Sequence, residues 1–152
     1  LESDSVSDKD KSFYLKLLVH FVGDLHQPLH IGRYQDRGAN RIYVKWFGRN
    51  SNLHRVWDSE MINSHNMSYS ELALNLPNPD FLISAKEVND FKRGDLLNWV
   101  DEIHEYTNKI YGNVSVDDKL GYEYQYKNFG TVKDLLLIGG IRLAKILNYL
   151  FD

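Results

Sequence analysis

The stretch from Ser12 to Asp24 constrains this chain more than any other. Phe13, Leu15, Leu17, Leu18, Val19, Phe21 and Val22 make it apolar nearly all round. That pattern reads as a buried helix with Ser12 as its cap, ended by Gln27-Pro28. Yet it carries His20 and Asp24. Burying an imidazole and a carboxylate without partners costs several kcal/mol. The pair therefore needs a partner inside the fold, and a metal ion is an economical one.

The same H-x-x-x-D spacing returns at His54 and Asp58, with His30 between the two pairs. On a helix, a spacing of four puts both side chains on one face. Imidazole and carboxylate are ordinary zinc ligands, at about 2.0–2.2 Å. A lone pair of this kind also reads as a surface ion pair or a hydrogen-bonded core histidine. The repeat and the third histidine favour a metal. There are no cysteines, so disulfides and thiolate sites are excluded.

His26 and His30 have the spacing of a zinc-peptidase histidine pair, but no Glu follows His26 and Pro28 breaks the helix. His26 is read as a surface residue or one lying behind the ligands. His65 and His104 read as solvated. Asp101, Glu102 and Glu105 read as a solvated acidic face. Asn66 and Asn113 begin glycosylation sequons, which matter only in a eukaryotic secretory pathway.

The rest of the chain reads as mainly α. Residues 1–11 are polar and read as a loop. Residues 32–40 read as a loop, 41–47 as a strand rich in β-branched and aromatic side chains, and 48–52 as a turn. Residues 53–62 read as a helix. Ser68 with Glu71 forms a capping-box pattern for a helix to Leu76, ended by Pro77 and Pro79. A long helix is expected over 84–111 with an interruption at Gly94, then a loop to Lys119. The second part of 122–152 reads as a helix with a core stripe of Leu135, Leu136, Ile138, Ile141, Leu143, Ile146, Leu147 and Leu150.

The 152 residues read as one domain, and 43% hydrophobic content suffices for a core. Net charge is −3. A protein gripping nucleic acid by phosphate neutralisation alone is usually basic, so bound divalent metal would have to supply the positive charge. The 13% aromatic content suits both a dense core and a base-stacking surface. No apolar run is long enough to span a membrane. The chain begins at Leu1, without Met or a signal peptide, and reads as a processed or truncated product.

The run from Val19 to His30, VHFVGDLHQPLH, closely resembles the signature of the S1/P1 nuclease family. The resemblance continues through GAN at Gly38–Asn40, NLHRVWDS at Asn52–Ser59 and WVDE at Trp99–Glu102. It ends with GIRLAKILN at Gly140–Asn148. It implies a phospholipase C/P1 nuclease-like helical fold with one short β ribbon around residues 41–47, and a three-zinc cluster in a cleft. By position, His20 and Asp24 resemble ligands of the first zinc, with Asp24 as the catalytic carboxylate bridging to another. His30, His54 and Asp58 resemble the full protein ligand set of the remaining site. His26 falls where the family tolerates other residues.

The implied activity is zinc-dependent hydrolysis of single-stranded DNA or RNA to 5′-mononucleotides, with 3′-nucleotidase activity. Tyr34, Asn40 and Trp46 are candidate substrate contacts, with ordinary packing as the alternative for Tyr34 and Trp46. Asp58 stands where similar phospholipases C have Glu, which favours the nuclease. The family's N-terminal Trp, a nearby His and a further Asp and His have no counterpart here. The chain thus resembles the C-terminal part of a family member. The alternative is a non-catalytic fragment, or one that needs an N-terminal piece to complete its site. A secreted or periplasmic protein of bacterial source is expected, in keeping with the missing cysteines.

Overall fold

The computed structural model describes residues 6–76 and 85–151. Seven helices and a small sheet occur among them: α1 Asp8–Leu25, β1 Tyr43–Trp46, β2 Arg49–Asn52, α2 Leu53–Arg55, α3 Met61–Ser64, α4 Tyr69–Leu74, α5 Ala85–Phe91, α6 Leu96–Gly112, β3 Lys119–Leu120 and α7 Tyr122–Phe151. The fold is mainly α, as expected. No described helix is long and apolar enough to cross a membrane.

α1 begins earlier than expected. Ser7, not Ser12, is its cap, accepting a hydrogen bond from the Asp10 amide at 3.2 Å. Nor is α1 buried. Only Val22 and Leu25 are, whereas Phe13 is 57% exposed and Phe21 60%. Among the described elements, α1 packs mainly against α7 and the turn Pro28–Ile31.

The ribbon is larger than expected. Phe47 and Gly48, with φ of 46° and 80°, make the two-residue turn that suits the twist of a hairpin. Residues 49–52 are therefore a strand and not a turn. β3, in a stretch expected to be loop, adds a parallel partner to β1 and gives the order β2-β1-β3.

Residues 53–64 are continuously helical, but Val56–Glu60 is a single π turn. The long helix expected over 84–111 divides at Gly94, whose φ of +78° no helix interior allows. Asp95 then caps α6 through the Leu97 and Asn98 amides. Ser68 and Glu71 form the expected capping box. Pro77, Pro79 and Ser84 lie outside the described residues. α7 is helical throughout, not only in its second part. Its buried side is Phe129, Val132, Leu135, Ile138 and Arg142, one residue per turn.

The core holds the site-bearing segments by anchors next to the polar residues. Leu29 beside His30, Leu53 beside His54, and Trp57 beside Asp58 are all nearly or wholly buried. They pack with Ile110 and Tyr111 of α6 and Phe129 and Val132 of α7. Trp57 Nε1 also donates to the Tyr124 hydroxyl at 2.9 Å.

Candidate metal centre

All five residues expected as ligands converge. His20 and Asp24 face each other one turn apart on α1, with Nε2 3.3 Å from Oδ2. Asp24 Oδ1 lies 3.4 Å from His30 Nδ1. His30 Nε2 lies 3.1 Å from Asp58 Oδ1. The His54 ring stacks on that of His30, with centroids 5.2 Å apart. Donor atoms of His30, His54 and Asp58 all lie within 4.8 Å of one another. Two zinc ligands at tetrahedral angles stand about 3.3 Å apart, so the 3.1 Å between His30 Nε2 and Asp58 Oδ1 suits a shared ion.

Local structure explains the convergence. α1 stops at Leu25, and the Gln27 side chain accepts from the Leu29 amide at 2.6 Å. That bond caps the tight turn Pro28–Ile31 and swings His30 back toward Asp24. The same Gln27 reaches Asp58 with its amide nitrogen at 3.5 Å. Asp58 sits on the π turn, a feature that recurs at functional sites. His54 donates from Nδ1 to the Gly38 carbonyl at 2.7 Å, because a carbonyl can only accept. Its Nε2 is thereby left for a ligand role, the usual arrangement behind a metal-binding histidine.

The site is open. The side chains of His20, Asp24 and Asp58 are 64%, 42% and 45% exposed. The burial argument that singled out His20 and Asp24 therefore does not hold. What joins Asp24 to His30 and His54 is their position at the wall of a cleft. That cleft encloses about 1100 Å³. Asp24, His30, Arg37 and His54 line part of its wall. Phe21, Leu96, Trp99, Ile146 and Tyr149 line an apolar part.

His26 is buried, and so does not lie on the surface. Its Nδ1 donates to the Val22 carbonyl at 2.7 Å, and its Nε2 faces an Arg142 guanidinium nitrogen at 3.1 Å. Burial, with Arg142 beside it, holds its pKa below the ordinary value, against the pull of the Val22 carbonyl. Arg142 also pairs with Glu102 and donates to the Phe91 carbonyl at 3.0 Å. Glu102 is therefore not part of a purely solvated face, because a buried guanidinium needs a counter-charge. Asp101, Glu105 and His104 are exposed, as is His65, whose ring leans on Phe129.

The substrate candidates separate. Tyr34 is 93% exposed. Asn40 is exposed, but its side chain donates to the Arg37 carbonyl at 2.9 Å. Trp46 is packed in the core at 6% exposure, its indole N–H on Ser64 Oγ, and has no face free for a base. Tyr111 and Asp36, which sequence reasoning passed over, brace the loop behind His54. A Tyr and an Asp without metal spacing give no signal of that kind.

The sequence model of the S1/P1 nuclease family matches residues 1–152. The chain is 33% identical to Endonuclease 4 of Arabidopsis thaliana over 165 residues, covering 99% of this chain and 54% of that protein. It is 35% identical to Endonuclease 5 of the same plant, covering 91% of this chain and 51% of that protein. A shorter match, 39% identical over 75 residues, joins 47% of the chain to 27% of Nuclease P1 of Penicillium citrinum. The chain spans about half the length of the Arabidopsis relatives. With the signature segments and the clustered His and Asp side chains, these matches show that the chain belongs to the S1/P1 nuclease family.

Proposed function

We propose that this chain carries the metal-binding core of a zinc-dependent nuclease. The proposed substrate is single-stranded DNA or RNA, cleaved to 5′-mononucleotides, with 3′-nucleotidase activity alongside. The observation that carries the reading is the gathering of His30, His54 and Asp58 around one point. The His20–Asp24 pair joins that point through His30. The names of the relatives, all nucleases or endonucleases, supply the substrate class.

The donor set fits zinc. His30, His54 and Asp58 would hold one ion, and His20 and Asp24 would contribute to others. When bound, zinc polarises a phosphoryl oxygen and lowers the pKa of coordinated water. The chain's own residues do the rest. The Gly38 carbonyl holds the proton on His54 Nδ1, so that ring keeps a fixed tautomer, while His30 has a carboxylate at each ring nitrogen, Asp24 at Nδ1 and Asp58 at Nε2. Arg37 brings a guanidinium to the cleft wall, where it meets phosphate charge. Tyr34 is free to stack on an unpaired base.

The test is zinc per chain by elemental analysis, with nucleotide release from single-stranded DNA measured before and after chelation. Zinc bound through the His30–His54–Asp58 group is expected. A chain that takes up no zinc sinks the proposal.

The ligand count favours a second reading for the isolated chain. Among the described residues, His30, His54 and Asp58 are the one group of three donors. His20 and Asp24 have only each other and His30. In this reading, further ligands come from a polypeptide corresponding to the other half of the relatives, and the 152 residues do not turn over alone. Robust hydrolysis by the purified chain would refute this second reading and leave the first standing.

A further inference from the structure

His54 owes its orientation to a loop that is unfavourable in isolation. Arg37, Gly38 and Ala39 are consecutive residues in the left-handed region, with φ of 56°, 63° and 64°. For residues with a Cβ this region is costly and persists only when surroundings enforce it. Gly38 has no alternative, since a Cβ there would stand 2.2 Å from the Leu29 carbonyl oxygen. The carbonyl that this turn projects is the one that accepts from His54 Nδ1 at 2.7 Å.

The enforcement comes from α6. The Tyr111 hydroxyl donates to Asp36 Oδ1 at 2.8 Å and accepts from the Arg33 amide at 3.1 Å. The same Asp36 Oδ1 accepts from the Ala39 amide at 2.7 Å. The Arg33 guanidinium lies over the Tyr111 ring, 4.2 Å from its centroid. Tyr111 is thus bonded to the loop at two points ahead of the left-handed turn, and through Asp36 to Ala39 within it. Ala39 is fully buried, so the turn has no room to relax.

We propose that Tyr111 and Asp36 are positioning residues for the metal site. They lock the turn Arg37–Ala39 so that the Gly38 carbonyl keeps His54 as its Nδ1–H tautomer, with Nε2 presented to the ion. The metal part of this inference rests on the zinc reading above; the tautomer part does not. Burial pushes the Tyr111 hydroxyl up to about 12, so it remains a donor at any working pH.

The experiment uses the whole chain and three variants, Tyr111→Phe, Asp36→Ala and Asp36→Asn. Two readouts are taken. Long-range proton–nitrogen correlation of the metal-free chain reports the His54 tautomer. Titration with Co²⁺, followed by its visible spectrum, reports the site. Tyr111→Phe and Asp36→Ala are expected to mix the two tautomers of His54 and to weaken Co²⁺ binding by roughly tenfold, the scale for groups behind the ligands. Asp36→Asn keeps an oxygen that accepts both bonds and is expected to stay close to the starting protein. A single wild-type tautomer with wild-type Co²⁺ affinity in folded Tyr111→Phe would overturn the proposal. If Tyr111→Phe does not fold, the Asp36 pair decides: equal behaviour of Asp36→Ala and Asp36→Asn overturns it. A starting protein that binds no Co²⁺ removes the zinc reading, while the tautomer still decides the positioning role.

Discussion

His30 Nε2 stands 3.1 Å from Asp58 Oδ1, across 28 positions of sequence. The two arrive from different local structures, a tight turn after α1 and a π turn after α2. Neither geometry alone brings them together. Leu29 and Trp57, buried beside them, do. Cutting one carboxylate from this group leaves two imidazoles that cannot neutralise a dication. Asp58→Ala is therefore expected to weaken zinc binding by more than the roughly 10–100-fold typical of residues one step behind the ligands. Isothermal titration with zinc checks it, and His65→Ala, an exposed histidine outside the donor group, is expected to leave the affinity unchanged.

Metal binding should also stabilise the chain. An ion that binds only the folded state adds about 2.7 kcal/mol when present at 100 times its dissociation constant. Thermal unfolding with and without chelator is expected to show this increment, and Asp58→Ala is expected to lose it. A melting temperature indifferent to zinc would contradict the site.

The structure reverses one expectation in a way that predicts mutational effects. α1 looked like a buried helix because its apolar residues ring the axis. Sequence periodicity reports which faces are apolar, not what covers them. Phe21 is 60% exposed, so Phe21→Ser is expected to change the stability of the chain by less than about 0.5 kcal/mol. Leu29 is fully buried, and Leu29→Ala is expected to cost about 2–5 kcal/mol. Urea unfolding of the two variants separates covered from uncovered apolar surface.

Other features divide along the same line. The capping box of Ser68 and Glu71 was legible because both partners lie within one turn. The gathering of the five candidate ligands was legible because their spacing and motif are local signals. β3 was not, since its pairing with β1 depends on strands more than 70 positions apart. The role of Arg142 was equally hidden: it meets His26 across 116 positions and Glu102 across 40. Glu102 sits in a run of charges that reads as solvent-facing until the buried cation opposite it is known.

That cation carries a prediction. The Arg142 side chain is 2% exposed and joins His26, Glu102 and the Phe91 carbonyl. Arg142→Ala leaves all three partners short and opens a cavity, so a loss of about 3 kcal/mol is expected. Glu102→Gln keeps an acceptor on a side chain that is 40% exposed, so about 1 kcal/mol is expected. Equal losses in the two variants would mean that the charge, and not the buried network, dominates.

Alkaline pH offers the last test. Burial raises both Tyr111 and Tyr124 to about 12, against an ordinary value of 10. A group whose folded pKa is raised contributes its stability fully below the unfolded value and loses it as pH climbs through the folded one. Stability should therefore hold up to about pH 10 and fall between about pH 10 and 12. Ionised Tyr111 could no longer donate to Asp36, and ionised Tyr124 would be a half-buried anion with the Trp57 indole as its one donor among the described residues. Phenolate absorbance of the chain's ten tyrosines is expected to show a late fraction that titrates together with unfolding. Replacing both residues by Phe should flatten the pH 10–12 slope, leaving the part that Tyr106, also raised by burial, contributes, and a slope unchanged in that double variant would place the alkaline weakness elsewhere.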